Sequence, residues 1–311
     1  MLAAATAAFS LATALPAQAA PDQVQPQAFT PIESRYWGDP ALRDLLGNPV
    51  DTEYTEGTVS YQQFQRGWLY HSQATGVHEL HGEIASRFVG SGGHRALGVP
   101  TTDELSTPDG AGRFNHFTGD ATGEASIYWS PQTGAQSVAG PVRRFWADRG
   151  WETGRLSYPT TSTLTTPDGV GRFNHFLGAD RAGASVYWTK NTGAHSVQGA
   201  IRDLWAAHGW ENGFGYPSSD ELTALDNTGR FNEFTGHTDP PASAYWHPAT
   251  GAHFVTGAIM QRWHELRREL SYLKYPTSNP HEVTDGVSQV DFQGGYIRLD
   301  QNSGVVTDGR W

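Results

Sequence analysis

The string GRFNHF stands at 112–117 and again, unchanged, at 171–176, with the near-copy GRFNEF at 229–234. Internal repetition constrains a fold more than composition does, because one supersecondary unit is reused and its apolar face must be covered by its neighbours. Extended outward from the string, the repeat resolves into five units, 31–82, 83–140, 141–199, 200–257 and 258–311. Each opens with an apolar residue and an aromatic four places on: Ile32/Tyr36, Ile84/Phe88, Val142/Trp146, Ile201/Trp205 and Ile259/Trp263. That spacing puts the pair on one face of a helix. Pro31 and Pro141 suit a first helical turn, and Gly150 and Gly209 suit left-handed caps.

A proline-closed turn follows in every unit: LGNP at 46–49, LGVP at 97–100, LSYP at 156–159, FGYP at 214–217 and LKYP at 273–276. The residue before proline is forced extended, so the chain leaves the helix there. Next comes a polar loop with Asp-Gly (Asp109-Gly110, Asp168-Gly169, Asp285-Gly286), then a strand ending at Phe64, Phe117, Phe176, Phe234 or Phe292. A hairpin closes the unit, its turn marked by Gly76, Gly134, Gly193, Gly251 or Gly304. The expected unit is therefore one helix of about ten residues, a proline turn and about three short strands. The fold class is mainly β with short helices. Neither end shows an obvious polar capping unit, and wet apolar faces cost roughly 25 cal/mol per Å². A propeller-like ring of five units is therefore expected over an open solenoid.

The first 30 residues stand apart. Leu2 to Leu15 is an apolar run closed by Ala17-Gln18-Ala19, which reads as a signal peptide over 1–19 followed by a linker over 20–30. The basic residues that usually precede such a run are missing, since the first Arg or Lys is Arg35. The run is too short to span a bilayer, so secretion without an anchor is expected. The formal charge of −11 comes with no Lys/Arg cluster, which argues against nucleic acid, anionic membrane and polyanionic wall polymers. With no cysteine, disulfides and thiolate chemistry are excluded.

The linked motifs Asp168–Phe176, Tyr187–His195, the Ile201/Trp205 helix and the turn Phe214–Pro217 together resemble the LGFP-repeat family. The resemblance extends over essentially all of 31–311 and is strongest in units two to four. It implies secreted actinobacterial proteins whose repeats bind or organise the cell envelope. Such repeats are often appended to mycolyltransferases, amidases or other hydrolases and hold them on wall glycan. No catalytic domain is recognised beside the repeats here, so the repeats are expected to carry the function.

Positions filled alike in all five units belong to the fold. Three positions are filled only in units two to four: Arg113, Arg172 and Arg230 become Ser60 and Ser288, Asn115, Asn174 and Asn232 become Gln62 and Val290, and Trp129, Trp188 and Trp246 become His71 and Leu299. These nine residues are the candidate ligand-binding set. An indole face covers the C–H face of a sugar ring, while Arg and Asn bond its hydroxyls. The competing reading buries Trp between units and closes Arg and Asn into an internal polar network. Alternation places Arg113, Asn115 and Phe117 on one strand face and Phe114 and His116 on the other.

His78, His195 and His253, with Gln136 in the equivalent place, follow the hairpin turns, and His116 and His175 give way to Glu233. No metal-ligand spacing links them, so neither metal nor cofactor is expected. No nucleophile elbow, zincin motif or phosphate loop occurs, and VGSGGH at 89–94 follows a helix and reads as loop. Asp103-Glu104 and Asp220-Glu221 recur after two proline turns and read as turn chemistry, although two spaced carboxylates suffice for a glycosidase. The expectation is a secreted, non-catalytic cell-wall-binding repeat protein whose partner is neutral wall glycan, arabinogalactan-type or peptidoglycan. The alternatives are a scaffold for a secreted enzyme and a glycan hydrolase.

Overall fold

The computed structural model describes residues 28–119, 123–235 and 241–311. The expected signal segment and most of the expected linker lie outside the described residues. Thr30, inside that linker, caps the first helix. Its hydroxyl accepts the Glu33 N–H at 3.1 Å while its own N–H donates to the Glu33 carboxylate at 2.9 Å.

The helices expected from the apolar/aromatic pairs form at Pro31–Gly38, Gly82–Gly90, Gly140–Ala147, Gly199–Ala207 and Gly257–Glu265. They are eight or nine residues rather than ten, with Pro31 and Pro141 in the first turn. Gly150 (φ 88°) and Gly209 (φ 85°) are left-handed as expected. A second short helical turn follows each, such as Pro40–Leu46 and Glu211–Phe214, which the periodicity did not signal.

Five antiparallel sheets of four or five strands follow, one after each helix. The first comprises Tyr54–Glu56, Val59–Phe64, Gly67–Ser72 and Gly76–His81 in sequential order. The expected unit had about three strands. The extra one arises because the Asp-Gly turn reverses the chain, so that Leu164–Thr165, for example, pairs with Phe173 and Arg172. The proline turn is stitched to its sheet identically in all five units, with Pro49, Pro100, Pro159, Pro217 and Pro276 bridging to Phe64, Phe117, Phe176, Phe234 and Phe292. Those five Phe side chains are at most 2 % exposed.

Each helix after the first packs between the sheet before it and the sheet after it. The third core cluster shows the arrangement, joining Tyr128 and Val138 of one sheet, Val142 and Trp146 of the helix, and Phe176 and Val186 of the next sheet. An aromatic pair faces each following helix: Tyr61/Tyr70, Phe114/Tyr128, Phe173/Tyr187 and Phe231/Tyr245 are cross-strand neighbours in the first four sheets. In the fifth sheet the same positions hold Gln289 and Arg298. The Arg298 guanidinium bonds Gln289 and lies 4.3 Å over the Tyr296 ring. Among the described residues no hydrogen bond, ion pair or ring contact joins the first sheet to the last, so the expected ring closure is not found. The polar pair also removes the wet apolar face at the last sheet, one of the two on which that expectation rested. No helix among the described residues is long and apolar enough to cross a membrane.

Candidate functional site

The alternation expected for the repeated strand holds. Arg113, Asn115 and Phe117 share a face with their cross-strand partners Trp129, Ile127 and Ala125, and the same register recurs at Arg172–Trp188 and Arg230–Trp246. The three asparagines are not available to a ligand, which corrects the expectation from the sequence. Asn115, Asn174 and Asn232 are 0 % exposed. Each Nδ2 divides its two donors between a strand carbonyl of the preceding unit and the loop after its own proline. Asn115 reaches Glu79 O and Thr102 O, Asn174 reaches Ser137 O and Thr161 O, and Asn232 reaches Ser196 O and Ser219 O, at 2.8–3.3 Å. Buried carbonyls must be paired, and this side chain pairs two of them across a unit junction. The residue fades in the first unit because no sheet precedes it there. Gln62 bonds only Asp51 O.

The arginines and tryptophans behave differently. Arg113 and Arg172 are exposed, Arg230 is half-exposed, and the three indoles are half-buried at the edges of the core clusters. They stand where a sheet meets the N-terminus of the helix before it, and this junction forms a cleft. One cleft, about 370 Å³, is lined by His81, Glu83, Glu104, Arg113 and Trp129. A second, about 530 Å³, holds Arg172 and Trp188 beside Gly140 and Pro141. The third, about 460 Å³, holds Arg230 with Arg149, Asp220 and Glu221, while Trp246 packs against the core instead of lining it. Arg and Trp are thus cross-strand partners at all three junctions and line the cleft together at two of them.

The glycine that opens the hexapeptide also has a structural cause. A Cβ on Gly112 would fall 2.4 Å from Trp129 O and 2.8 Å from the Tyr158 ring. Tyr158, Tyr216 and Tyr275, which precede the prolines of the next units, lie over Gly112, Gly171 and Gly229. Their hydroxyls bond Asp109, Asp168 and Asp226 of the unit before, at 2.6–2.8 Å.

The histidines are clamps. His78 and His195 bond Asp103 and Asp220 through Nδ1 at 3.2 and 3.3 Å, and their Nε2 atoms bond Thr75 O and Thr192 O. Gln136 Nε2 makes the same carbonyl bond, to Thr133 O. His253 Nε2 bonds Thr250 O. His116 and His175 bond Ser126 and Ser185 at 2.7 Å, and burial pulls both down to about 4. Glu233, in their place, lies 3.7 Å from Arg268. No group of metal-ligating side chains occurs among the described residues.

Burial, reinforced by Asp103, pushes Glu79 up to about 8, and its carboxylate accepts the Glu104 N–H. Burial also raises Glu104 and Glu221, which lie 3.8 and 3.9 Å from Arg113 and Arg230. Sequence reading took these glutamates for turn chemistry. Their place under the cleft arginines is decided by the junction, which no single unit displays.

The LGFP repeat family matches residues 46–95, 97–154, 156–213 and 214–270, more than half of the chain. This chain belongs to the LGFP-repeat family. The family's frame starts at the proline turn, so each match holds one sheet and the helix that covers it. Among curated proteins none matches the chain. Solved structures with partial likeness include a putative 6-phosphogluconolactonase from Bacteroides fragilis, at 11 % identity over 82 % of this chain and 67 % of that one, TM-score 0.15. Another is an Aleuria aurantia lectin in complex with Fucalpha1-6GlcNAc, at 9 % identity over 83 % and 76 %, TM-score 0.15. Likeness at that level carries no argument about what this LGFP-repeat chain does.

Proposed function

We propose that this LGFP-repeat protein is secreted, is non-catalytic and binds cell-wall polysaccharide, with neutral glycan of the arabinogalactan or peptidoglycan type as its ligand. The observation that supports this reading is the Arg–Trp pair placed three times at the unit junctions. A half-buried indole offers an apolar platform, and a guanidinium beside it offers several donors to ring hydroxyls. Weak sites repeated along one rigid array gain avidity on a polymer without any single site being tight. Repetition itself favours binding over catalysis, since a hydrolase needs one acid/base pair and not three similar clefts.

The test is retention of the full chain on purified wall fractions at 0.15 M salt, compared with a variant carrying Arg113→Gln, Arg172→Gln and Arg230→Gln. These side chains are exposed enough to be replaced without unfolding the chain. Retention that falls at least tenfold in the variant supports the reading. Equal retention of both, or none by either, refutes it. Co-purification of a secreted protein without glycan retention replaces it with the scaffold reading, and release of reducing ends from the wall replaces it with a hydrolase.

A further inference from the structure

The three junctions are not alike. After the proline turn the chain reads Asp103-Glu104 at one junction and Asp220-Glu221 at another, but Ser162-Thr163 at the middle one. We propose that the middle junction is the specificity site of the array and takes a sugar unit bearing a carboxylate. This inference rests on the wall-binding reading and changes it at one site, where an acidic sugar unit takes the place of a neutral one.

At the outer junctions the aspartate accepts a strand N–H and is paired by an arginine from the preceding unit. Asp103 takes the Glu79 N–H at 3.2 Å with Arg35 at 2.5 Å, and Asp220 takes the Ser196 N–H at 3.0 Å with Arg149 at 2.7 Å. The adjacent glutamate stands under the cleft arginine. The positive charge at these junctions thus already has carboxylates of the protein beside it. In the middle, Ser162 Oγ accepts the Ser137 N–H at 3.1 Å, the same backbone bond made without a charge. Thr163 Oγ1 accepts the Ala139 N–H at 2.9 Å and donates to Asn174 Oδ1 at 2.8 Å.

Among the described residues Arg172 is therefore without a carboxylate counter-ion. Its side chain bonds the Thr165 hydroxyl, and among the described residues no carboxylate lies within ion-pair distance. The cleft is lined by Arg172, Trp188 and the hydroxyls of Ser91, Ser137, Ser162 and Thr163, with no acidic side chain on its walls. The first turn of the helix Gly140–Ala147 adds the positive end of its dipole. The Ser162 and Thr163 hydroxyls donate to Gln136 and Asn174, so the charge of the guanidinium decides the match: a carboxylate, which it binds through two parallel N–H···O bonds. The −11 charge of the whole chain does not override this, because exposed charges beyond about 8 Å are screened at physiological salt.

The test is isothermal titration of the full chain at 0.15 M salt with trigalacturonic acid, its methyl ester, and the GlcNAc–MurNAc disaccharide, whose lactyl group carries the acid. The free acid is expected to bind about tenfold or more tightly than the ester, the range of a charge-assisted bond. Thr163→Glu brings in the carboxylate that stands under the cleft arginine at the outer junctions. It is expected to erase the preference while leaving ester binding intact, whereas Arg172→Gln is expected to erase the preference and to weaken acid and ester alike. The ratio between the two acids tells a ring carboxylate from a lactyl one. Equal binding of acid and ester, lost in Trp188→Ala, overturns this inference and leaves the wall-binding reading standing. An unchanged preference in Thr163→Glu also overturns it. Absence of binding by all three sugars overturns this inference, while retention on wall fractions decides the wall-binding reading separately.

Discussion

The second position of the proline turn has positive φ in all five units: Gly47 (73°), Gly98 (81°), Ser157 (60°), Gly215 (91°) and Lys274 (62°). Where ψ accompanies it, at −165°, −177° and −169° for the three glycines, the conformation is one that only glycine adopts freely. It persists because the carbonyl it aims is used. Trp146 Nε1 donates to Ser157 O and Trp205 Nε1 to Gly215 O, both at 3.1 Å, and Tyr36 OH donates to Gly47 O at 2.9 Å. Two units thus hold a side chain where the turn calls for none. Restoring the glycine with Ser157→Gly should remove about 1–3 kcal/mol of backbone strain against about 0.4–1 kcal/mol of extra unfolded-state entropy. The net gain is about 1 kcal/mol, which for a chain of this size raises the thermal midpoint by roughly 2 °C. Lys274→Gly should gain similarly, and Gly98→Ala should lose more than either gains. Thermal and urea unfolding followed by tryptophan fluorescence reads all three. A neutral or destabilising Ser157→Gly beside a neutral Gly98→Ala would refute the reasoning.

Four further outcomes are expected. Asn174→Ala should cost about 2–4 kcal/mol, because it leaves two buried carbonyls unpaired, and a loss below about 0.5 kcal/mol in urea unfolding would contradict the clamp. Glu79, raised to about 8 in the fold, is stable as the neutral acid, so its contribution is complete below the unfolded value of 4.5 and is lost as pH rises through 8; Glu79→Gln should flatten stability across that window. His116 and His175 act with the opposite sign, since a base depressed from 6.5 to about 4 leaves stability intact above 6.5 and erodes it as pH falls towards 4. Replacing both in one variant by a neutral residue should remove that acid limb from a pH series of urea midpoints. Finally, Gln289→Phe with Arg298→Tyr rebuilds the aromatic pair that faces a following helix elsewhere, and should make the chain self-associate in sedimentation velocity.

Much of the fold was legible in the sequence because five copies could be compared. The apolar/aromatic helix pair, the Pro–Phe bridge and the hairpin glycines recur wherever a unit must fold at all. The repeated Arg and Trp were legible as neighbours through strand alternation. Asn115, Asn174 and Asn232 were misread, since fading at both ends looked like dispensability. In fact the asparagine serves a junction with a preceding sheet, and the end units have different needs. The polar pair Gln289/Arg298 was visible but went unread, because nothing local says that a strand position faces a missing neighbour. Ser162-Thr163 was equally visible. Its meaning depends on Arg172 and Ser137, which reach it only through the packing of one unit on another.

The tyrosine lying over the hexapeptide glycine has a consequence for how such chains can be rearranged. Gly112, Gly171 and Gly229 are each followed, one unit on, by Tyr158, Tyr216 and Tyr275, whereas Val59 is followed by Val99. The choice at one position is thus matched to a choice made in the next repeat, and a unit carries half of a lock whose key is encoded downstream. Units cut at their own ends and shuffled would pair a valine with a tyrosine and jam. Units exchanged together with the proline turn that follows them would keep every lock with its key.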